Sequence, residues 1–220
     1  SYQYVYLPAM GFSEADNDYV HEGLAIFSRF PIMEVHSVLL SRDSRDSGDF
    51  HQRMCLIALV NSPLGPLNIM TTHLSLSQEA RERTLGEIAK LAAGFKFPSV
   101  LMGDFNAEFD HAEGNPLTEP GAGFTDTWAS THPPPPQGAS EEEKQAYKRG
   151  GWTFNSWNPR SRIDYIFTKQ LLAEEVTVVG THSSPLSSFL PGIAGVTDMK
   201  MQMFPSDHMF LKAKLGKEQQ

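Results

Sequence analysis

The segment Val100-Leu101-Met102-Gly103-Asp104-Phe105-Asn106 combines a short apolar run with a polar turn. Its first three residues are too apolar for a surface position, so we expect a short buried strand there. Gly103 permits a tight turn after that strand, and the polar side chains of Asp104 and Asn106 then project where a loop begins. Because α/β sheets place their sites at the carboxyl ends of strands, this segment is expected to carry chemistry.

Strand patterns lie on both sides of this segment. β-branched or aromatic runs, separated by Gly, Pro, Asp and Ser clusters, predict strands at 2–7, 24–27, 32–40, 54–60, 67–72, 163–168 and 209–214. One helix is predicted from about residue 76 to 93, ending at Gly94, because Leu85, Ile88, Ala89 and Ala92 form a single apolar stripe. Ser75 and Gln78 match a capping box at its start.

Three segments lack a regular pattern. Residues 41–49 are polar with alternating charge and predict an exposed hairpin loop. Residues 108–151 are loop-rich, and the prolines at 133–136 followed by the glutamates at 141–143 indicate an extended arm leading into a short helical turn. Residues 183–205 are predicted to be irregular.

Three more short segments resemble the first in ending or interrupting an apolar run. They are Thr71-Thr72-His73-Leu74, Arg162-Ile163-Asp164-Tyr165 and Ser206-Asp207-His208. Phosphodiester hydrolysis requires neutralised phosphate oxygens, an activated water and a proton for the leaving oxygen, and these side chains can supply all three. The His73 segment alone is a weak signal, since a histidine at a strand end is more often structural than catalytic, and the combination of all four segments carries the argument.

In this order and at these separations, the four segments resemble the endonuclease/exonuclease/phosphatase superfamily, which includes deoxyribonuclease I. The resemblance implies a DNase I-like four-layer α/β sandwich, with two packed mixed β-sheets flanked by helices. Members open with a strand carrying an asparagine and a strand ending in a glutamate, the principal metal ligand. Neither motif is found here, so we expect that glutamate upstream of residue 1, in a protein longer by a few tens of residues.

The resemblance also assigns catalytic roles. It pairs Asp164 with His208 as the general base or, in rival mechanisms, as a phosphate-binding imidazolium. It implies that Asp104 orients or deprotonates the attacking water, or assists the leaving group. It implies that the Asn106 side-chain amide donates a hydrogen bond to a phosphate oxygen. His73 matches a histidine that acts as a general acid near the leaving oxygen.

Asp207 is implied as a metal ligand or the support of one. The metal is expected to be Mg²⁺, with Mn²⁺ suiting the same oxygen ligands equally. Three residues are predicted to bind substrate: Arg29 and Arg162 as phosphate clamps, and Trp152 as a stacking surface for a base or a lipid headgroup. Surface ion pairs and core packing are the alternatives for them. We interpret 121–128 as structural.

Composition limits the remaining choices. The 220 residues, 40% hydrophobic and 20% charged, fit one domain of this type spanning 1–220. The net charge of -8 counts against tight metal-free binding of nucleic acid. No apolar run is long enough to predict a transmembrane helix. Cys55 is the only cysteine and is expected to be a buried thiol. A single cysteine cannot form an intrachain disulfide, which favours a cytoplasmic location.

The predicted function is therefore metal-dependent hydrolysis of a phosphodiester, in a nucleic acid, a phospholipid or a small molecule, with no obligate protein partner indicated. The alternative is a catalytically silent module that binds a phosphate ligand or acts as a scaffold, if the glutamate ligand is truly absent. Residue patterns leave the substrate, the metal and the oligomeric state open.

Overall fold

The computed structural model describes residues 1–13, 19–109, 115–180, 184–185, 202–203 and 206–217. The strands are β1 (Gln3–Ser13), β2 (Tyr19–Ser28), β3 (Ile32–Leu39), β4 (Met54–Ser62), β5 (Gly65–His73), β6 (Ser99–Asp104), β7 (Thr125–Asp126), β8 (Asp164–Lys169), β9 (Leu171–Val179), β10 (Ser184–Pro185), β11 (Gln202–Met203) and β12 (Phe210–Lys217). The helices are α1 (Gln78–Ala93), α2 (Thr127–Thr131) and α3 (Glu141–Gly151).

A six-stranded mixed sheet forms the centre, in the order β3-β4-β5-β6-β8-β7. Only β5 and β6 run parallel to each other, and the other neighbours are antiparallel. β6 is interior, with Val100 and Leu101 buried as their apolar character predicted. Its register sets His73 opposite Asp104 on one side and Asp164 opposite Asp104 on the other. Three of the predicted site residues therefore lie in line across neighbouring strands.

The two faces of this sheet are covered differently. Helix α1 packs on one face, where Ile88 and Ala92 join Met70, Leu101 and Phe167 in the largest core cluster. On the other face, the β1–β2 hairpin packs against β4, and the antiparallel pair of β9 and β12 packs against β6 and β8. This α/β sandwich confirms the predicted fold class.

An open apolar groove of about 710 Å³ separates the hairpin from β12. Its walls include Ile26 from β2, Met102 from β6 and Leu215 from β12. The second strand layer therefore consists, in the described residues, of two separate antiparallel pairs.

Helix α1 ends at Ala93 as predicted but begins two residues later than expected. Its N-cap is Ser77, whose side chain accepts a hydrogen bond from the Ala80 N–H at 3.2 Å. The predicted cap, Ser75, instead donates its hydroxyl to the Gly48 carbonyl at 3.2 Å. The N-cap was thus assigned to the wrong serine, because a contact with residues 41–49 engages Ser75, and the predicted capping box with Gln78 is wrong because Ala80 occupies the third position after the true cap.

The predicted loop at 41–49 is folded against α1. Asp49 is buried and accepts hydrogen bonds from the Arg83 guanidinium at 2.9 Å and from the Asp43 N–H at 3.0 Å. Asp46 accepts a hydrogen bond from the Ser77 hydroxyl. The alternating charges therefore serve local hydrogen bonds rather than a freely solvated hairpin.

Further elements differ from the sequence predictions. The short turn expected after the glutamates at 141–143 is a full helix, α3, with a capping box between Ser140 and Glu143. Strand β9 was not predicted, and the adjacent Glu174 and Glu175 interrupt its apolar alternation. Most of the irregular stretch predicted at 183–205 lies outside the described residues.

Two predictions from composition concern the single cysteine and membrane-spanning helices. Cys55 is fully buried, as predicted, and burial raises the pKa of its thiol to about 12. None of the helices in the described ranges has the length and apolar character needed to cross a bilayer.

Candidate active site

The site is built where three strands of the central sheet meet. His73 is the last residue of β5, Asp104 the last of β6 and Asp164 the first of β8. Gly103 has a φ of 147°, and a Cβ there would lie 1.9 Å from the Thr72 carbonyl oxygen. Only glycine allows β5 and β6 to approach this closely.

Asn106 is held at the turn after β6. Its N–H donates to Asp104 Oδ1 at 2.7 Å, and its side-chain amide donates to the Leu74 carbonyl at 3.0 Å. Its φ of 50° is in the left-handed region, which asparagine tolerates better than most residues. The Gly-Asp-Phe-Asn segment thus forms a fixed turn with one amide hydrogen of Asn106 engaged.

Asp164 and His208 form a hydrogen-bonded pair. The Nδ1 atom of His208 lies 2.8 Å from Asp164 Oδ2. Burial disfavours the charged imidazole, but the hydrogen bond and negative charge of Asp164, with the charges of Asp104 and Asp207, outweigh burial and raise the pKa of His208. This is the geometry of a carboxylate that orients an imidazole and stabilises its protonated form.

Asp104 lies between two imidazoles. Its Oδ2 atom is 3.5 Å from His73 Nε2 and 3.8 Å from His208 Nε2. Burial raises the pKa of Asp104, and the charge of Asp164 adds to that effect, against the Asn106 hydrogen bond and the two histidines. The two rings therefore point their Nε2 atoms toward one carboxylate.

Glu22, at the start of the apolar part of β2, was missed by the sequence analysis. Its Oε1 atom lies 3.2 Å from His73 Nδ1 and 3.6 Å from an Arg53 guanidinium nitrogen. Each histidine thus has a carboxylate at Nδ1 and Asp104 near Nε2. An acidic residue beside the predicted strand at 24–27 was the available signal, but no local pattern connects it to His73.

Arg53 was also missed. Its side chain is only 10% exposed, and its Nε atom has no hydrogen-bond partner among the described residues. Burial lowers the pKa of Arg53 despite the nearby charges of Glu22, Asp104 and Asp49. Burial and the Arg53 charge also lower the pKa of His73, against the opposing effects of Asp104 and Glu22. Arg53 therefore contributes positive charge beside His73.

The residues predicted to bind substrate have other partners in the structure. Arg29 follows the far end of β2 from Glu22, and its Nε donates to the Tyr2 hydroxyl at 2.8 Å. Arg162 forms an ion pair with Asp126 at 2.8 Å, and its guanidinium lies over the Tyr165 ring. The structure shows structural partners for both arginines.

Trp152 and Asp207 have different surroundings. Trp152 lines a cavity of about 160 Å³ together with Tyr147 and Arg162. Asp207 is exposed, and its carbonyl accepts a hydrogen bond from the Ser156 N–H at 2.7 Å. The described cluster therefore consists of His73, Asp104, Asn106, Asp164 and His208, with Glu22 and Arg53 added.

Comparison with protein families decides the relationship that the motifs suggested. The model of the endonuclease/exonuclease/phosphatase family matches residues 2–208. The chain belongs to this family. No curated protein matches it.

Several solved structures of the endonuclease/exonuclease/phosphatase type have a similar fold. A family protein from Bacteroides thetaiotaomicron aligns with a TM-score of 0.67 at 20% identity, over 97% of this chain and 73% of that chain. A mannosyl-6-phosphatase from the same organism aligns with a TM-score of 0.63 at 21% identity, over 97% of this chain and 77% of that one. A humanized D. rerio TDP2 aligns with a TM-score of 0.62 at 16% identity, over 97% and 77%. At these identities the likeness shows the fold.

A divalent cation is compatible with the donors at this family site. Asp104, Asp164 and His208 each offer a ligand atom, and these atoms lie within 4.8 Å of one another. The two carboxylates supply the hard oxygen donors that Mg²⁺ and Mn²⁺ prefer. A cation there would also favour the charged form of Asp104, whose pKa is raised by burial. The residues present therefore fit a divalent metal.

Proposed function

We propose that the protein is a metal-dependent phosphodiester hydrolase in which the Asp164–His208 pair activates the attacking water. The observation that carries the proposal is the 2.8 Å contact between His208 Nδ1 and Asp164 Oδ2, with Nε2 turned toward Asp104. Membership of a family defined by endonucleases, exonucleases and phosphatases supports hydrolysis of phosphate esters.

In the proposed reaction, His208 acts through Nε2, because Asp164 occupies Nδ1. Nε2 takes a proton from water as the water oxygen bonds to phosphorus, and Asp164 stabilises the resulting imidazolium. The bond from phosphorus to the leaving oxygen then breaks. Asn106 engages one amide hydrogen with Leu74, which leaves the second for a nonbridging phosphate oxygen.

His73 is the proposed donor of a proton to the leaving oxygen. Glu22 lies at its Nδ1 atom, so the proton to be donated is the one on Nε2. Glu22 is therefore proposed as the residue that fixes the orientation of the His73 ring. Burial and the positive charge of Arg53 lower the pKa of His73, which makes the ring a better acid when it is protonated.

The metal is proposed to be Mg²⁺, with Mn²⁺ as the alternative, held by Asp104 and Asp164 and by Asp207 as predicted from the motif. Such a cation supplies charge neutralisation at the nonbridging oxygens of the phosphate. His208 Nε2 cannot bind a metal and accept a proton at the same time, so the oxygen donors are assigned to the cation.

For the substrate, the acidic chain favours a small phosphodiester over duplex DNA. The net charge is -8, and the 18 Lys and Arg residues are outnumbered by 26 Asp and Glu residues. Among proteins of similar fold, one is named for a sugar phosphate and another was solved with a single-stranded DNA product. Small phosphodiesters are therefore the first substrates to test, followed by phospholipids and single-stranded nucleic acid.

The proposed function is tested by hydrolysis of bis-p-nitrophenyl phosphate with Mg²⁺, with Mn²⁺ and after chelation by EDTA. We expect turnover with added cation and none after chelation. A folded chain that releases no nitrophenolate and cleaves none of the small phosphodiesters, phospholipids or oligonucleotides offered would contradict the proposal. The same chain binding phosphate esters without cleaving them would identify the silent binding module.

Glu22→Gln tests the orienting role of Glu22. We expect about a tenfold loss of kcat, a small share of the usual general acid contribution, because the ring remains but its orientation is less fixed. The loss should be larger for a diester with an alkyl leaving group than for bis-p-nitrophenyl phosphate, since an alkoxide needs the proton more. Equal losses on both substrates would argue against His73 as the acid.

The control for this experiment is Glu34→Gln. Glu34 also lies beside a histidine, with its Oε2 atom 3.3 Å from His36 Nε2, but both side chains are exposed on β3. This variant should retain wild-type kcat on both substrates.

A further inference from the structure

The buried residue Thr153 connects two segments that belong to different sheets. It is fully buried, and its hydroxyl oxygen accepts hydrogen bonds from the N–H groups of Ile163 and Asp164, each at 3.2 Å. Its own N–H donates to the Ser161 carbonyl at 2.8 Å. Thr153 thus fixes the backbone on which the Asp164 carboxylate is carried.

The segment around Thr153 also holds the His208 side of the pair. The Met209 N–H donates to the Thr153 carbonyl at 2.7 Å, directly after His208. The Ser156 N–H donates to the Asp207 carbonyl at 2.7 Å, and the Ser156 hydroxyl donates to the Ser206 carbonyl at 2.5 Å. Hydrogen bonds from this one segment therefore reach both sides of His208.

This bridge is needed because the sheets do not provide one. Asp164 begins β8 in the six-stranded sheet, whereas His208 precedes β12, which pairs with β9. In the described ranges, no strand pairing joins β8 to β12. The hydrogen bond between Asp164 and His208 depends on the distance between these two segments, and Thr153 contacts both through its hydroxyl and its carbonyl.

We propose that Thr153 is a positioning residue for the Asp164–His208 pair, acting through its hydroxyl on Asp164 and through its carbonyl on the His208 segment. The proposal rests on the proposed function, in which this pair activates water. A buried hydroxyl that merely satisfies two N–H groups would support stability, whereas a positioning residue must also affect the hydrogen bond between the pair.

The test is Thr153→Val, which keeps the shape of the side chain and removes the acceptor oxygen. We expect about a tenfold lower kcat with KM unchanged, corresponding to displacement of a catalytic group rather than its loss. In protein labelled with ¹⁵N-histidine, the low-field proton resonance of His208 Nδ1 should move upfield or broaden. Thr153→Ser keeps the hydroxyl and should restore both kcat and the resonance.

The matched control is Thr84→Val. Thr84 is equally a buried threonine whose hydroxyl bonds to backbone, donating to the Ala80 carbonyl at 2.8 Å within α1. This variant should lose stability without a change in kcat or in the His208 resonance. It separates loss of a buried hydrogen bond from displacement of the catalytic pair.

A folded Thr153→Val protein with wild-type kcat and an unchanged His208 resonance would overturn the proposal. If the valine variant does not fold, Thr153→Cys serves in its place, because sulfur is a weaker acceptor of similar size. Wild-type values in that variant would overturn the proposal equally. Absence of hydrolysis in the wild type defeats the proposed function instead, and the His208 resonance then still tests Thr153.

Discussion

Replacing His208 with alanine is expected to lower kcat for diester hydrolysis about a thousandfold, within the range that a positioned general base contributes. Asp164 holds the His208 ring in place, since its Oδ2 atom lies 2.8 Å from His208 Nδ1. Without the ring, the attacking water has no base in that position, and Asp164 loses its hydrogen-bond partner. KM should change little, because the assigned phosphate contacts remain.

The measurement is steady-state hydrolysis of bis-p-nitrophenyl phosphate in saturating Mg²⁺, with melting temperature recorded for each protein. His36→Ala is the control, since His36 is an exposed histidine with its own glutamate neighbour. We expect the control to match the wild type in kcat. A folded His208→Ala protein that kept wild-type turnover would remove the pair from the mechanism.

The grouping of these side chains was largely predictable from sequence because His73, Asp104 and Asp164 are next to strand ends. His73, Asp104 and Asp164 each adjoin an apolar run, and strand pairing then aligns them across β5, β6 and β8. The family resemblance assigned their roles. The distances between these side chains could not be predicted from the sequence, since they depend on the register between strands far apart in the chain.

Glu22 and Arg53 show what local patterns omit. Glu22 reaches His73 from β2, which belongs to the hairpin on the face of the sheet rather than to the sheet itself. Arg53 directly precedes β4 and is buried beside Glu22 and His73. Nothing in either segment marks its charged residue as part of the cluster, because only the packing of the hairpin on the sheet brings Glu22 and Arg53 beside His73.

The fold shows the same division between local and tertiary information. Strand positions followed from β-branched and aromatic runs, and the end of α1 followed from Gly94. The start of α1 did not, because Ser75 and Ser77 are both good caps and a contact with Gly48 decides between them. Local patterns identified most of the elements, though not β9, whereas tertiary contacts selected their exact ends.

Asp104→Asn is expected to lower kcat by about a hundredfold to a thousandfold, as for loss of a preorganised electrostatic group. The substitution preserves shape, and the amide oxygen can still accept from the Asn106 N–H that now donates to Oδ1 at 2.7 Å. It removes the negative charge between His73 Nε2 and His208 Nε2, at 3.5 and 3.8 Å. The negative charge that favours the protonated form of both imidazoles is then lost.

This variant should also need more Mg²⁺ for half-maximal rate, because an amide oxygen is a poorer ligand than a carboxylate. A Mg²⁺ titration of the rate measures that effect separately from kcat. Asp49→Asn is the control: Asp49 is a buried carboxylate paired with Arg83 outside the cluster, so its variant should melt earlier while keeping kcat. If Asp104→Asn instead lowered the melting temperature and kept wild-type kcat, as expected of Asp49→Asn, Asp104 would be a structural residue. The approach of two imidazoles to its carboxylate would then have no part in catalysis.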